Sequence, residues 1–460
     1  MIHQTLVQAS HAMLGKVGQG NPEATFMGVS TDTRLLKKEE LFFCLLGKRD
    51  GHEFIAEALA KGASGVVIDQ AHENLIAEHP KKNFIVVPDT LRALGDLARA
   101  WRRRFEIPIL AITGSSGKTT TKDFCALVLT SQYQCLATTG NLNNLIGVPL
   151  TLFGLNANHQ VAVIEMGMNN FGEIDRLAEI TEPTMGVITN IGPAHLEKLS
   201  DLTGVAKAKG ELFARLNAEG VALVNGDDPY VVQLATLARK IIYGTQDSAD
   251  VQATEVQQAG LQLKIQGALF KEPFAVSLPM LGTHNVYNVL VALTVAKLLK
   301  VPIQQALHAL LQYRGHAHRL EVFQLKNGAL LIDDCYNANP LSMESALQVL
   351  RDVDSSKKTL AILGDMLELG DYSEAGHRRV GKRVAQLKID YLAAVGEHSQ
   401  WMAKAAIENG MNPDHVLLTQ DMPLEHPTFK NFLAKAEVLL VKGSRGIHLE
   451  RIVDHLKDAH

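Results

Sequence analysis

The amino-acid sequence predicts an α/β protein of three domains with parallel, doubly wound sheets. At 460 residues the chain is too long for one ordinary hydrophobic core. Continuous apolar segments alternate with helix-like segments, a pattern typical of parallel sheets covered by helices. We predict a smaller α/β domain at 1–88, a central doubly wound domain with a phosphate loop at 89–314, and a C-terminal doubly wound (Rossmann-like) domain at 315–460.

Apolar runs and helical spacing define the predicted elements. The predicted strands are 41–46, 65–69, 84–88, 161–165, 185–190, one in the 220s, 329–334, 359–365, 391–396 and 438–443. The principal predicted helices are 54–62, 90–104 and 285–299. In the helix at 90–104, large apolar residues recur at helical spacing: Leu91, Leu94, Leu97 and Trp101. The more alternating stretch 251–280 predicts a small antiparallel excursion.

The stretch I-P-I-L-A-I-T-G-S-S-G-K-T-T-T at 107–121 is the most informative part of the chain. A buried strand, a tight turn and a helix aim backbone N–H groups at one point, where a phosphate binds well. Lys118 would reach the outer phosphates, and the Thr119 hydroxyl would hold Mg²⁺. The loop is shorter than the longer phosphate-loop pattern. A lone glycine loop is often only a turn, but G-K-T-T after an apolar strand favours a nucleoside triphosphate. The expected nucleotide contacts are Gly114, Ser115, Ser116, Gly117, Lys118, Thr119 and Thr120.

Residues at predicted strand ends are further candidates, because ligands bind at the carboxyl ends of parallel strands. Glu165 ends a strand and suits Mg²⁺, although a helix cap or a solvated acid is a comparable interpretation. His195 follows another strand, and by itself is weak evidence. Lys207 and Lys209 lie in G-V-A-K-A-K-G-E-L, where spacing alone indicates two surface cations.

The segment L-I-D-D-C-Y-N-A-N-P at 331–340 indicates another site at the end of a strand, in the third domain. Arg319 lies near the predicted domain junction, where one cation can reach phosphates held by the neighbouring domain, although a surface arginine is the safer interpretation. Asn285 and Asn288 either read an adenine edge or cap a helix.

The polar turn G-V-S-T-D-T-R at 28–34 fits recognition of a sugar nucleotide. An Asx or Ser/Thr turn explains the same residues almost as well. Both interpretations stay open on the residues alone.

Composition disfavours several classes of partner. The net charge of −4 provides no broad positive field for nucleic acid. The most apolar predicted helix is too short to cross a bilayer and carries Lys297, so we expect no membrane span. The N-terminal M-I-H-Q-T-L-V-Q has no secretory pattern. The cysteines lack C-x-x-C spacing, which favours free thiols in a reducing cytoplasm over metal ligation: Cys44, Cys125, Cys135 and Cys335.

Several motifs together resemble those of the Mur ligases, the ATP-dependent amide-forming enzymes of peptidoglycan precursor synthesis. The resemblance covers the whole chain and keeps the three-domain order of that family. Its motifs are T-G-S-S-G-K-T-T, T-T-G-N-L-N-N-L-I-G-V-P-L-T-L (138–152), E-M-G-M-N-N-F-G-E-I (165–174), D-D-C-Y-N-A-N-P, L-G-D-M-L-E-L-G with His377, and V-K-G-S-R (441–445). The D-N-P-R signature of the diaminopimelate-adding members is absent. Cys335 stands where relatives often carry Ser.

The resemblance implies a role for each ambiguous residue. It implies that Glu165 and His195 ligate Mg²⁺ with Thr119, and that Lys209 is the lysine carbamylated in relatives, whereas Lys207 is a surface cation. The implied catalytic residues are Lys118, Lys209 and Arg319, and the implied further nucleotide contacts are Asn285, Asn288, Arg319 and Asp334. The implied substrate contacts are Thr31, Asp32, Arg34, Thr139, Asn141, Asn337 and Asn339, with the first three near a uridine diphosphate.

The resemblance also implies the reaction. ATP and Mg²⁺ would activate the terminal carboxylate of UDP-N-acetylmuramoyl-tripeptide as an acyl phosphate, which the amine of D-alanyl-D-alanine attacks. The N-terminal, central and C-terminal domains would bind the UDP-linked peptide, ATP and the dipeptide, and we expect a cytoplasmic monomer. The alternatives are a folylpolyglutamate synthetase-like ligase, disfavoured by Y-N-A-N-P and S-T-D-T-R, and a nucleotide-dependent switch protein without ligase chemistry.

Overall fold

The protein folds into three helix-flanked sheets and one small two-stranded sheet. The structure, a computed structural model, describes residues 2–194 and 196–459. No helix in this described part of the chain is long and apolar enough to cross a membrane.

The N-terminal region contains the smaller main sheet. Its strands are β1 (His3–Thr5), β2 (Lys16–Gln19), β3 (Thr25–Met27), β4 (Val29–Ser30), β5 (Leu41–Phe43), β6 (Gly65–Asp69) and β7 (Phe84–Val87). Its helices are α1 (Leu6–Ala12), α2 (Ile55–Ala60) and the 3₁₀ helices Gly51–Phe54 and Gln70–Glu78. The main sheet has the order β2-β7-β6-β5-β4, in which only β2 pairs antiparallel, and β1 pairs with β3 separately. Strands β6 and β7 are buried throughout, which explains their continuous apolar sequences.

The central region forms a nine-stranded sheet. Its strands are β8 (Ile109–Thr113), β9 (Cys135–Ala137), β10 (Val161–Glu165), β11 (Met185–Ile188), β12 (Val221–Asn225), β13 (Arg239–Gly244), β14 (Val251–Ala259), β15 (Gln262–Leu269) and β16 (Glu272–Leu278). Its helices are α3 (Thr90–Arg102), α4 (Lys118–Thr130), α5 (Gly147–Leu152), α6 (Glu173–Thr181), α7 (Leu196–Leu199), α8 (Leu202–Arg215), α9 (Val286–Leu298), α10 (Ile303–Leu310) and the 3₁₀ helix Thr283–Asn285. The order is β16-β15-β14-β13-β12-β11-β8-β10-β9, parallel from β9 to β14. Strand β8 therefore lies inside the sheet, with β10 and β11 on its two sides.

The C-terminal region forms a six-stranded sheet. Its strands are β17 (Glu321–Gln324), β18 (Leu330–Asp333), β19 (Thr359–Gly364), β20 (Tyr391–Val395), β21 (Val416–Thr419) and β22 (Val438–Lys442). Its helices are α11 (Pro340–Asp352), α12 (Ser373–Gln386), α13 (Ser399–Glu408), α14 (Pro427–Lys435), α15 (Glu450–Ala459) and the 3₁₀ helices Gly370–Tyr372, Pro413–His415 and Arg445–Ile447. The order is β17-β18-β22-β19-β20-β21, and all pairs except β17 with β18 are parallel.

Helix α3 joins the N-terminal and central regions through one apolar core. Leu94, Leu97 and Trp101 are buried in a cluster that contains residues of both sheets. The Trp101 indole also donates a hydrogen bond to the Leu155 carbonyl at 3.2 Å. Leu91 was expected on the same face but is 36% exposed, because its position in the helix faces away from this cluster.

The central and C-terminal regions also pack against each other. Leu281, which precedes α9, belongs to the apolar cluster of the C-terminal sheet. A Cβ at Gly192 would lie 3.0 Å from the Leu341 side chain, so the loop after β11 closely approaches the start of α11. The carboxyl edges of the two sheets therefore face a common space.

The predicted parallel α/β architecture is confirmed. The strands at 65–69 and 161–165 coincide with β6 and β10, and the antiparallel excursion corresponds to β14, β15 and β16. Helix α9 is buried almost all round, which explains its uniformly apolar sequence.

Some element boundaries were wrong. The strand predicted at 41–46 ends at Phe43, because Leu46 turns outward, is 65% exposed and forms a bridge with Asp50. The helix predicted at 54–62 starts as a 3₁₀ turn at Gly51–Phe54 and becomes α-helical only at Ile55. Strands β13 and β21 were missed because their apolar runs are short: β13 begins with the exposed Arg239 and Lys240, and β21 has only three consecutive apolar residues.

Candidate functional site

A cavity of about 830 Å³ lies between the central and C-terminal sheets. The central region contributes the phosphate loop, the end of β10 and residues of α8 and α9. The C-terminal region contributes the segment before β17 and the loop from β18 to α11. The expected site residues that line the cavity are Ser115, Ser116, Gly117, Lys118, Thr119, Thr120, Asn141, Glu165, Lys209, Asn285, Asn288, Arg319, Asp334, Asn337 and Asn339. Two domains thus build one site.

The phosphate loop requires glycine at its first position. Gly114 follows β8 and has a φ of +149°. A Cβ there would lie 1.8 Å from Thr189 Oγ1, a distance that no side chain tolerates. The loop therefore passes directly against the end of β11. Gly114 does not line the cavity itself, but it sets the path of the loop residues that do.

Side chains after β11 hold the loop from behind. The Ser116 N–H donates to Asn190 Oδ1 at 3.0 Å, and Thr189 Oγ1 donates to the Ser116 carbonyl at 2.6 Å. Ser115 Oγ accepts a hydrogen bond from the Gly192 N–H at 2.9 Å. Thr189 and Asn190 were not predicted as site residues, although both lie in T-N-I-G directly after a strand. These contacts preorganise the backbone that would surround a phosphate.

Lys118 begins α4 at the cavity wall. Its ammonium donates to the Gly114 carbonyl at 2.7 Å. Burial lowers the pKa of Lys118, Glu165 raises it in opposition, and Arg319 lowers it further. The influence of Arg319 places positive charge from the C-terminal region close to the phosphate loop.

Lys209 is a buried cation rather than a surface one. It projects from α8 and is 2% exposed, whereas Lys207 is exposed and lies over the Phe171 ring at 5.7 Å. Burial, assisted by the charge of Lys118, holds the pKa of Lys209 well below its usual range. The structure therefore distinguishes two lysines that sequence spacing leaves equivalent.

Glu165 is positioned as an oxygen ligand. It ends β10, is 2% exposed, and accepts a hydrogen bond from Asn143 Nδ2 at 2.8 Å on Oε1. Its Oε2 is buried without a hydrogen-bond partner among the residues that the structure describes. The free carboxylate oxygen and the Thr119 hydroxyl wall the same cavity and are the hard donors that Mg²⁺ prefers. These residues fit a magnesium ion. His195 lies outside the described residues.

The C-terminal region brings Arg319 and Asp334 to the cavity. The Arg319 guanidinium lies 4.2 Å from the centroid of the Tyr336 ring, which fixes its direction. Asp334 Oδ2 accepts a hydrogen bond from Lys442 Nζ at 2.6 Å, and Lys442 is itself buried. Lys442 and Tyr336 were not predicted as site residues, although both lie in motifs noted in the sequence.

Asn285 and Asn288 form a hydrogen-bonded chain at the start of α9. Asn288 Nδ2 donates to Asn285 Oδ1 at 2.7 Å, and Asn285 Nδ2 donates to the Leu281 carbonyl. Thr121 Oγ1 donates to Asn288 Oδ1 at 2.8 Å. This series of hydrogen bonds connects α9 to α4 directly behind the phosphate loop. Burial lowers the pKa of the neighbouring His284 to about 4.

The other expected substrate residues differ in their placement. Asn339 caps α11 by accepting a hydrogen bond from the Ser342 N–H, while Asn337 and Asn141 are exposed at the cavity. Thr139 is exposed beside the cavity and is not part of its wall. The turn with Thr31, Asp32 and Arg34 also lies away from the wall: Arg34 pairs with Asp32 at 2.6 Å and lowers the pKa of Asp32 to about 2.

Fold and site together define an α/β protein in which a glycine loop after β8 faces a second, Rossmann-like sheet across one cavity. Family models match most of the chain: Mur ligase family, catalytic domain at 25–102; Mur ligase middle domain at 112–296; and Mur ligase, glutamate ligase domain at 318–445. The chain belongs to the Mur ligase family.

Similar proteins extend along the full chain. The chain is 36% identical over 460 residues to UDP-N-acetylmuramoyl-tripeptide–D-alanyl-D-alanine ligase from Bacillus subtilis, covering 99% of both chains. It is similar to a crystal structure of MurF from Acinetobacter baumannii, with a TM-score of 0.90, 32% identity, and coverage of 100% of this chain and 99% of that one. The fold also resembles that of MurF from Thermotoga maritima in complex with ADP, with a TM-score of 0.82, 24% identity, and coverage of 94% and 97%.

We expect Gly114→Ala to disrupt the phosphate loop. The new Cβ meets Thr189 Oγ1 at 1.8 Å, and the φ of +149° is unfavourable for alanine. ATP affinity, measured by calorimetry, should fall about tenfold or more, which corresponds to about 1.4 kcal/mol. Gly328→Ala is the matched control, because its φ is also positive at +87° but its Cβ meets nothing within 4 Å. Equal ATP affinities for the two variants would contradict the proposed steric requirement.

Proposed function

We propose that this chain is an ATP-dependent amide ligase that joins D-alanyl-D-alanine to UDP-N-acetylmuramoyl-tripeptide. The observation that carries the proposal is the convergence of Lys118, Lys209 and Glu165 with Arg319 from the opposite domain on one cavity. The 36% identity to a ligase of that name over the full chain supports the choice of substrates.

The proposed reaction has two steps. A carboxylate oxygen of the tripeptide attacks the γ-phosphorus of ATP, which forms an acyl phosphate and releases ADP. The amine of D-alanyl-D-alanine then attacks the acyl carbon, inorganic phosphate leaves from the tetrahedral intermediate, and the nitrogen loses a proton. Because carboxylate and amine do not condense favourably in water, ATP provides the driving force.

The residues of this chain orient the reactants and neutralise charge. The loop N–H groups and Lys118 would hold the β- and γ-phosphates, and Arg319 would approach from the C-terminal domain. Glu165, Thr119, His195 and Lys209 would hold Mg²⁺, which when bound polarises phosphoryl oxygens and neutralises their charge. Asn285, Asn288 and Asp334 are proposed nucleotide contacts. Packing of the two domains around the cavity would exclude water from the acyl phosphate.

Lys209 is the proposed site of carbamylation. Its lowered pKa favours the neutral amine, the form that attacks CO₂ and releases one proton to give a carbamate. A carbamate replaces the buried amine with an anionic oxygen ligand in the cavity that Glu165 also lines, which suits a magnesium site. The exposed Lys207 has no comparable environment.

The domain roles and remaining contacts complete the proposal. The N-terminal domain at 1–88 would bind the UDP moiety through Thr31, Asp32 and Arg34. The central domain at 89–314 would bind ATP, and the domain at 315–460 the dipeptide. The further substrate contacts are Thr139, Asn141, Asn337 and Asn339. We also propose that the protein is a monomer and that it acts in the cytoplasm, where ATP is available.

Phosphate release across candidate substrates tests the function. We expect release only when ATP, a UDP-muramoyl-tripeptide and D-alanyl-D-alanine are all present, and parallel assays with diaminopimelate and lysine tripeptides identify the third residue. Lys118→Ala should be inactive yet folded, because it removes charge at the phosphates without opening a core cavity. Phosphate release without dependence on a UDP-peptide would instead indicate a nucleotide switch, and dependence on a folate would indicate the other ligase.

We expect Lys209→Ala to lose most activity and to regain part of it with a short carboxylic acid. The acid would imitate the carbamate at the metal site. Phosphate release is measured with and without acetate, and Lys207→Ala serves as the matched control because its side chain is exposed two residues away. If both lysine variants behaved alike, the assignment of Lys209 would be wrong.

Arg319→Ala should reduce kcat by about a hundredfold while changing ATP affinity little, because charge-stabilising groups act mainly in the transition state. Calorimetry of ATP binding and steady-state phosphate release separate the two effects. The exposed Arg451, outside the cavity wall, provides the control variant Arg451→Ala. A large loss of ATP affinity with unchanged kcat would show that Arg319 anchors the ground state.

A further inference from the structure

Three metal-ligating side chains meet at the end of β18, next to the cavity. His318 Nδ1 lies 2.7 Å from Asp333 Oδ2 and 3.5 Å from Cys335 Sγ. The Cys335 thiol donates to Asp333 Oδ1 at 2.9 Å. Asp333 and Cys335 are each 1% exposed, whereas the His318 side chain is 28% exposed. The set is therefore compact, with an approach from solvent through His318.

The separation of nitrogen and sulfur suits a tetrahedral cation. Zinc bonds of about 2.3 Å to sulfur and about 2.0 Å to nitrogen, at a tetrahedral angle, place the two ligand atoms about 3.6 Å apart. The observed distance between His318 Nδ1 and Cys335 Sγ is 3.5 Å. The Asp333 oxygens lie closer to His318 Nδ1 and to Cys335 Sγ than ligands of one shared cation can lie to each other. The carboxylate must therefore move away by less than about 1 Å when a cation binds.

We propose that His318, Asp333 and Cys335 form a binding site for a thiophilic divalent cation of the Zn²⁺ class. A thiolate, an imidazole and a carboxylate select such a cation over Mg²⁺. Glu165 and Thr119 in the cavity offer oxygen alone and favour the opposite choice. The structure thus separates two cation sites by ligand chemistry. The free thiol that sequence spacing predicts at Cys335 is the cation-free form of this site.

Cation binding at this site releases a proton. The Cys335 thiol donates a hydrogen bond to Asp333 Oδ1 at 2.9 Å, so it carries a proton before sulfur bonds a cation. The Cys335 S–H proton leaves to solvent as sulfur bonds the cation. In the cation-bound site the neutral His318 ring offers its Nδ1 lone pair and carries its proton on Nε2. One proton is released for each cation bound.

The site is connected to the proposed catalytic groups, and this consequence rests on the proposed function. His318 precedes Arg319, and its carbonyl accepts a hydrogen bond from the Tyr336 N–H at 3.1 Å. Asp333 precedes Asp334, whose Oδ1 accepts from the Leu320 N–H at 3.2 Å. A cation held by His318 and Cys335 displaces Asp333, and this displacement moves the segment that directs Arg319. We expect turnover to fall while ATP binding at the phosphate loop persists.

Cobalt spectroscopy of the full-length, metal-free protein tests the site. Titration with Co²⁺ should produce a thiolate-to-cobalt charge-transfer band that saturates at one equivalent. Cys335→Ser should lose this band, and His318→Asn provides a second variant should the first fail to fold. Cys44→Ser should keep the band. It is the matched control, because the buried Cys44 lies near a separate group of Asp50, His52 and His72.

Zinc titrations test proton release and the effect on turnover. Calorimetry in buffers of different ionisation enthalpy should show one proton released per Zn²⁺ by the unmodified protein. With Mg²⁺ in excess, Zn²⁺ should lower phosphate release by about tenfold or more in the unmodified protein and much less in Cys335→Ser. A cobalt–thiolate band that survives both Cys335→Ser and His318→Asn would overturn the site. Equal zinc inhibition of the unmodified protein and Cys335→Ser would overturn its link to turnover. Failure of the proposed ligase function would leave no turnover to inhibit but an unchanged cobalt spectrum.

Discussion

The architecture of the site depends on cations that are buried beside too few anions. Lys209 is buried and Lys118 is half-buried, and each has a pKa lowered first by burial. Glu165 opposes this shift at Lys118, but Lys118 itself lowers the pKa of Lys209. Burying charge without a partner costs several kcal/mol or more, so the uncompensated positive charge favours binding of an anionic ligand. In the proposed reaction a nucleoside triphosphate would offset the charge of Lys118, and a carbamate at Lys209 would add an anion to the same cavity. Both parts of the proposed chemistry therefore relieve the same electrostatic cost.

Rigid support behind the phosphate loop makes this charge arrangement useful. The loop carbonyl and N–H of Ser116 are both engaged by the segment after β11, and Asn288 binds the first turn of α4 through Thr121. These interactions join parts of the folded chain to one another, so the orienting cost is met during folding rather than at binding. Asn288 therefore has a positioning role in the structure, independent of any contact that it makes to a nucleotide. Its amide side chain links α9 to the first turn of α4, and the two helices pack against each other.

The sequence was sufficient for the parallel architecture and for the loop at 115–120 in the cavity wall, because apolar strands and a G-K-T-T loop carry local signals. It was insufficient where tertiary contacts decide. Lys207 and Lys209 are equivalent in spacing, and only the packing of α8 buries one of them. The supporting roles of Thr189 and Asn190 depend on β11 lying next to β8, which chain order does not reveal. Strand β21 was missed because this partly exposed edge strand has an apolar run of only three residues. The role of the turn at Thr31 stays a prediction, since the turn lies apart from the cavity wall.

The contribution of the C-terminal domain differs in kind from that of the phosphate loop. Its buried ion pair, Lys442 with Asp334, is internally balanced and therefore adds little net field. Arg319 has no such partner in the described ion pairs and rests on the face of Tyr336, which directs the guanidinium without neutralising it. An aromatic ring leaves the guanidinium charge available to a phosphoryl group during its transfer, whereas a carboxylate partner would neutralise that charge. The segment that positions Arg319 begins at His318, whose imidazole contacts Asp333 and Cys335. The same short segment thus joins this guanidinium on one side to the proposed cation site on the other. A cation held at that site would therefore alter the position of Arg319.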